Sequence, residues 1–177
     1  YERMFQDKVN PLGSKNILVL MPYWEQDIVY LLSLINSLAV ELPILVKFHP
    51  ATDGENYVAQ FTHNIKVVES ALYDLLRETR LVIGVSTGTL VEAASLGVPV
   101  ICIDSKSVLF HSNYFTDFGK GIIWDRAETT VEIIKLIDAF NYFLTHDALK
   151  IQKASEVLKK IYFFEPTEEA IVRAFDL

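Results

Sequence analysis

Residues 81–104 read LVIGVSTGTLVEAASLGVPVICID, two apolar runs separated by a knot of small hydroxyl residues and a short amphipathic piece. The runs Leu81–Val85 and Pro99–Asp104 read as strands. Between them TLVEAASLG reads as a helix ended by Gly97. A strand, a crossover helix and a second strand make the unit from which parallel sheets are built. The knot GVSTGT sits where the first strand hands over to the helix, so its meaning depends on what surrounds it.

The same alternation extends in both directions. NILVLM (Asn16–Met21), PILVKFHP (Pro43–Pro50) and IKVVE (Ile65–Glu69) are earlier strands, and GIIW (Gly121–Trp124) is a last one. EQDIVYLLSLINSLAVEL carries Ile28, Leu31, Leu32, Ile35, Leu38 and Ala39 at helical spacing. GENYVAQFTH reads as a short helix, and ALYDLLRET as another with Leu72, Leu75 and Leu76 on one face. From Thr129 the chain reads as helical, in TTVEIIKLIDAFNYFLTHDALK and IQKASEVLKKIY. Pro166 interrupts, and a final helix starts at the N-cap candidate Thr167. The expected fold is α/β, a doubly wound parallel sheet of about five to six strands with helices on both faces and a helical C-terminal region. Residues 1–15 form a lead-in segment, and 16–177 a single domain.

Composition narrows the function classes. Of 177 residues 51% are hydrophobic, enough for a packed core and against disorder. A net charge of −7 disfavours nucleic-acid binding, which rewards a basic face. The single cysteine, Cys102, lies within an apolar run, which fits a small core residue in a reducing compartment. No apolar run approaches the roughly 18 residues of a membrane span, and the start shows no secretory pattern. The chain begins with Tyr1 rather than Met, so it is expected to be a piece of a longer protein.

In an open parallel sheet, ligands bind beyond the carboxyl ends of the strands. That rule selects Pro22, Tyr23 and Trp24; Lys47, His49 and Pro50; Glu69 and Ser70; Val85 to Thr89; and Asp104, Ser105 and Lys106. Ser86, Thr87, Gly88 and Thr89 open a helix, where unpaired N–H groups and the helix dipole suit an anion. Glu92 follows Gly88 by one turn and suits a ribose hydroxyl pair. The competing reading is purely local: Thr87 or Thr89 caps the helix, and Glu92 closes a capping box with Thr89. Lys47 and His49 share a strand face, and Pro50 places His49 at the exit. There the imidazole donates to a diphosphate, positions an acceptor, or only caps the next turn. Tyr23 and Trp24 stack on a base from the rim or pack in the core or against another domain. His63, His111 and His146 lack metal-ligand spacing. No Walker, G-x-G-x-x-G or G-x-S-x-G motif is present.

With these motifs placed, the chain resembles the C-terminal, donor-binding half of GT-B fold glycosyltransferases. The resemblance rests on KFHP, VVES and LYDLLRETRLVIGVSTGTLVEAASLGVPVICID, covering Ile44 to Asp104 and, beyond that, the order of elements. Enzymes of bacterial surface polysaccharide assembly look similar here, including CDP-glycerol-type glycerophosphotransferases and capsule glycosyltransferases. Sugar-nucleotide 2-epimerases share the strand, the small-residue turn, the Glu-containing helix and the G-x-P-V strand. Gly88 is followed by Thr89 and Glu92 by Ala93, where epimerases have a second glycine and a second acid, which points away from that group.

The resemblance implies a nucleotide-activated sugar or polyol donor as substrate, with no cofactor and no required metal. It places the donor diphosphate on Ser86, Thr87, Gly88 and Thr89, the ribose on Glu92, and further phosphate contacts on Lys47, His49 and Pro50. Glu69 and Ser70 fall where base or ribose contacts are usual, and His49 is the candidate catalytic residue. GT-B enzymes have two halves, so an N-terminal acceptor domain or a partner subunit is implied. The implied location is cytoplasmic, at the inner membrane face through the rest of the protein. Three readings stay open: a donor half serving transfer to an acceptor hydroxyl, a sugar-nucleotide epimerase, and a non-catalytic nucleotide-binding module.

Overall fold

The structure, a computed structural model, describes residues 2–6, 9–62, 64–85, 87–106 and 115–163, with 167, 169 and 172. The run Ile17–Leu20 is buried throughout, so its strand, β1 (Asn16–Leu20), has to lie inside a sheet covered on both faces. It pairs in parallel with β2 (Ile44–Lys47) on one side and β4 (Thr79–Val85) on the other. With β3 (Ile65–Val67), β5 (Val100–Ile103) and β6 (Trp124–Ala127) the sheet has six strands in the order β3-β2-β1-β4-β5-β6, all parallel. This is the doubly wound fold that the alternation of elements predicts.

The alternation of side chains along β1 divides the core in two. Ile17, Val19 and Met21 pack with α2 (Glu25–Asn36) and α6 (Thr130–His146), through Ile28, Leu31, Ile35, Ile133 and Phe140 among others. Leu18 and Leu20 face the other side, where α4 (Leu72–Arg77), α5 (Gly88–Ser95) and α7 (Ala148–Tyr162) add Leu75, Leu90, Ala94 and Leu158. Each such buried aliphatic side chain contributes about 1.5–3 kcal/mol relative to exposure. Cys102 is a buried member of this second cluster, as its apolar run predicts.

Chain order and strand order part company at one place. From β1 the chain winds outward through β2 and β3, then returns to β4 beside β1 and winds the other way. The carboxyl ends of β1 and β4 therefore diverge into connections that leave in opposite directions. That opening is where doubly wound sheets hold their ligands.

Gly97 ends α5 as the sequence predicts. At φ 91° it occupies the left-handed region, while its own N–H donates to Ala94 O and that of Val98 to Ala93 O. These two bonds close the helix end and satisfy carbonyls that would otherwise be orphaned.

Three expectations shift. The last strand is Trp124–Ala127 rather than Gly121–Trp124, because Gly119 and Gly121, with φ of 78° and 73°, turn the chain through the apolar GII. Gly119 O there accepts from the N–H groups of Ile122 and Ile123. Helix α2 stops at Asn36, short of Leu38 and Ala39, where the Asn36 side chain bonds Gln60 O and Thr62 N just past the short helix α3 (Glu55–Val58). The break between the last two long helices falls at Asp147, whose backbone leaves the helical region.

Within residues 1–15, α1 (Glu2–Gln6) is tied by polar contacts to α4 and α7. Met4 is fully buried, and its carbonyl accepts from Lys159 Nζ. Arg3 pairs with Asp74, and that hydrogen bond holds the Asp74 carboxyl below its usual range. The predicted final helix from Thr167 lies almost wholly outside the described residues.

Candidate functional site

A cleft of about 450 Å3 opens at the diverging ends of β1 and β4. Three strands, β1, β2 and β4, bring residues to it by simple continuation. Met21, Pro22, Tyr23 and Trp24 follow β1, and Asp27 comes from the first turn of α2. Lys47 ends β2, and Phe48, His49 and Pro50 follow it. Val85 ends β4, and Thr87, Gly88 and Thr89 open α5. Leu72 and Ser105 complete the wall.

Helix α5 starts at Gly88, with Thr87 as its N-cap in extended conformation (φ −142°, ψ 156°), and among the described residues no side chain caps it. The capping box expected as the local alternative does not form. Thr89 lies inside the first turn, and the Glu92 carboxylate instead accepts from the Tyr73 hydroxyl at 2.7 Å. Among the described residues no side chain accepts from the first N–H groups of the helix, and an anion there also meets the positive end of the helix dipole. A Cβ built on Gly88 meets nothing within 4 Å, so the space in front of the helix start is open.

Gly84 brings this helix close to the sheet. A Cβ there would lie 3.0 Å from Leu90 Cδ2 and 3.2 Å from Leu20 O. The missing side chain lets the start of α5 sit directly over the end of β1.

His49 does two things at once. The Ala51 N–H donates to its Nδ1 at 3.1 Å, the turn-capping role weighed from the sequence. In the neutral ring the proton then resides on Nε2, a donor on a residue that lines the cleft. Lys47 Nζ donates to Glu69 O at 3.4 Å, which steers the ammonium along the strand ends.

Of the residues selected from the sequence, Lys47, His49, Pro50, Thr87, Gly88 and Thr89 meet around this one cleft. Ser86 lies outside the described residues. Glu92, Glu69 and Ser70 are not on the wall. Glu92 is half-buried one turn along α5, and Glu69 and Ser70 are exposed just before Leu72, which does line it. Asp104 at the end of β5 is engaged by Arg126, whose Nη1 donates to its two oxygens at 2.8 and 3.1 Å. Lys106 places its ammonium 4.5 Å from the centre of the Tyr30 ring.

Asp27 is the residue that sequence reasoning passed over. It is 1% exposed and lines the cleft from α2. Ser105 Oγ donates to one of its oxygens and the Lys106 N–H to the other, both at 2.6 Å. Its signal was present: Asp27 precedes Ile28 on the stripe that Leu31 and Ile35 continue, and a carboxylate in an apolar stripe needs hydrogen-bonding partners. Tyr23 and Trp24, 52% and 38% exposed, stand at the mouth as an edge-to-face pair 5.2 Å apart. Tyr23 also meets the His49 ring edge-to-face at 5.5 Å.

Among the described residues no group of three or more His, Cys, Asp or Glu is arranged to hold a metal ion. Nor, among them, is any helix long and apolar enough to cross a membrane.

No protein-family model matches the sequence, and no curated protein is similar to it at a significant level. Solved structures are similar in fold. The Anabaena protein HepE in complex with UDP superposes with a TM-score of 0.61 at 12% identity, over 93% of this chain and 50% of that one. The glycosyltransferase SnogD from Streptomyces nogalater gives 0.53 at 19% identity, over 84% of this chain and 43% of that one. The wall teichoic acid polymerase TagF with CDPG gives 0.50 at 15% identity, over 89% of this chain and 38% of that one. The chain thus spans half or less of each of these proteins. At these identities the likeness concerns architecture: the chain has the Rossmann-like fold of one half of a GT-B glycosyltransferase.

Proposed function

We propose that this chain is the donor-binding half of a glycosyltransferase or glycerophosphotransferase of bacterial surface polysaccharide synthesis. Its substrate is a nucleotide-activated sugar or polyol, and the rest of the enzyme supplies the acceptor side. One observation carries the reading. The cleft at the switch between β1 and β4 gathers the uncapped start of α5, the Lys47 ammonium and the His49 ring around the same volume. Those groups share one chemistry, the binding of an anion by N–H donors and positive charge. Similar folds are seen with UDP in HepE and with CDPG in TagF, which supports a nucleotide as the anion.

In the transfer step, an acceptor hydroxyl oxygen bonds to the sugar carbon or to the polyol phosphorus. The bond from that atom to the nucleotide's phosphate oxygen breaks, and its electron pair leaves on the phosphate. The acceptor proton goes to a base across the cleft. The N–H groups of Gly88 and Thr89, Lys47 and the Nε2–H of His49 oppose the charge that grows on the leaving phosphate. Because the fold holds them in place beforehand, little reorganisation is needed as the charge appears. Glu92 lies one turn beyond the phosphate position, with one oxygen fixed by Tyr73, and offers its other oxygen to a ribose hydroxyl. Ser86, Glu69 and Ser70 complete the proposed nucleotide contacts.

The test is a melting-temperature screen against UDP, CDP, GDP and ADP and their sugar or glycerol conjugates. A ligand that binds only the native state raises Tm in proportion to its concentration over Kd. A rise for one nucleotide family supports the reading. Flat melting temperatures at millimolar concentrations of all of them would remove it.

A further inference from the structure

Helix α7 has two faces, and the core uses one of them. Ile151, Ala154, Ser155 and Leu158 are buried, and the helix packs on α5. On the outer side Leu149, Lys150, Lys153, Val157, Lys160 and Ile161 fall at i, i+1, i+4, i+8, i+11 and i+12, the spacing of a single helical stripe. All six are exposed, Leu149, Val157 and Ile161 by 59%, 36% and 45%. The stripe runs about 18 Å along the helix. Its charge departs from that of the chain: α7 holds four lysines and one acid, Glu156, while the whole chain carries −7. Lys159 stands apart from the stripe, with its ammonium on Met4 O. Glu156 lies at the stripe's edge, where Gln152 Nε2 donates to it at 3.0 Å. Lys150 crosses the Phe143 ring at 5.0 Å from its centre, which leans that lysine's stem on an apolar surface.

We propose that this stripe docks the chain reversibly on an anionic lipid bilayer, with α7 lying in the plane of the interface. Lysine stems are apolar, so the three ammonium groups reach the headgroups while Leu149, Val157 and Ile161 enter the acyl boundary. Anionic headgroups complement those three charges, and no acid stands among the six positions. A protein partner fits the stripe less well. The cores of protein interfaces are poor in lysine and rich in aromatic residues, Met and Arg. The stripe has three lysines and none of the favoured types. None of its six residues lines the cleft, so a bilayer against α7 leaves the cleft open. Docking of this kind requires nothing of the cleft's ligand and stands apart from the donor reading.

The experiment is co-sedimentation of the chain with phosphatidylcholine vesicles, with and without phosphatidylglycerol. Binding is expected only to vesicles that carry phosphatidylglycerol, and it should weaken as salt rises. Lys153→Gln and Lys160→Gln should each lower the binding constant about fivefold, the weight of one charge at an anionic surface. Val157→Ser combined with Ile161→Ser should lower it about tenfold and leave the salt dependence unchanged. Lys135→Gln, at an exposed lysine of α6, should change nothing. Unchanged melting temperatures confirm that the variants are folded. Should the serine variant melt early, the glutamine variants decide alone. Equal binding to both kinds of vesicle, binding to neither, or the same loss in Lys135→Gln as in Lys153→Gln would overturn the proposal. A dimer that the serine variant dissolves, in a chain that ignores vesicles, would give the stripe to a second copy instead.

Discussion

The backbone N–H of Ala51 donates to His49 Nδ1 across 3.1 Å, and this contact sets what the ring can do. It anchors the imidazole to the turn after β2 and puts the proton of the neutral ring on Nε2. His49 is therefore predicted to serve as a donor to phosphate through Nε2. His49→Ala should weaken nucleotide diphosphate binding about tenfold or more, the size of a hydrogen bond to a charged group. His49→Gln places an amide N–H near the Nε2 position and should recover part of the loss. Calorimetric affinities in the order wild type, Gln, Ala check this; equal affinities for all three would assign the ring to the turn alone.

Gly84 and Gly88 lie four residues apart and should respond oppositely to alanine. At Gly84 a methyl group would press on Leu90 Cδ2 and Leu20 O, at 3.0 and 3.2 Å, with little room to give. Gly84→Ala is expected to cost about 1–3 kcal/mol of stability, as overpacking of a filled core does. At Gly88 the same methyl meets open space, so Gly88→Ala should leave urea unfolding unchanged. Matching unfolding curves for the two variants would contradict the close packing of α5 on β1.

The architecture was readable because apolar strands and helical periodicity alternate so regularly along the chain. LVIGV and PVICI are buried on both faces and read as continuous apolar runs for that reason. The slip in the last strand has a local cause. Buried Ile123 made GIIW look like a strand, whereas the two left-handed glycines before it form a turn. At the site, strand-end position alone picked out Lys47, His49 and the Thr87–Thr89 turn. Asp27 was not found, since it is distant in sequence from all of these and its partners, Ser105 and the Lys106 N–H, come from the far side of the sheet order. The partner of Glu92 was equally out of reach. Only folding brings Tyr73 on α4 beside α5 and so decides against the Thr89–Glu92 capping box.

A true capping box does occur, at the start of α6. Thr129 Oγ1 accepts from the Glu132 N–H, and the Glu132 carboxylate accepts from the N–H groups of Glu128 and Thr129. The Glu128 bond, then the two from Thr129, holds the Glu132 carboxyl below its ordinary value of 4.5. A lowered folded value means the carboxylate stabilises the fold in full above that ordinary value, with the contribution lost as pH falls through the folded one. Glu132→Gln should therefore melt lower than wild type near neutral pH, and the gap should close in acid below 4.5. Melting curves across that range check it; a gap that persists unchanged in acid would mean the loss is not electrostatic.

The central claim is that the open start of α5 binds the donor's phosphate, and Gly88→Asp tests it most directly. A carboxylate at the first position of a helix is favourable to the helix itself, so the domain should melt at or above the wild-type temperature. The same charge would occupy the space that the phosphate needs. Calorimetric titration of the nucleotide diphosphate that stabilises the wild-type chain should show its binding abolished in Gly88→Asp, with the fold intact. Unchanged affinity in a folded Gly88→Asp protein would contradict the account.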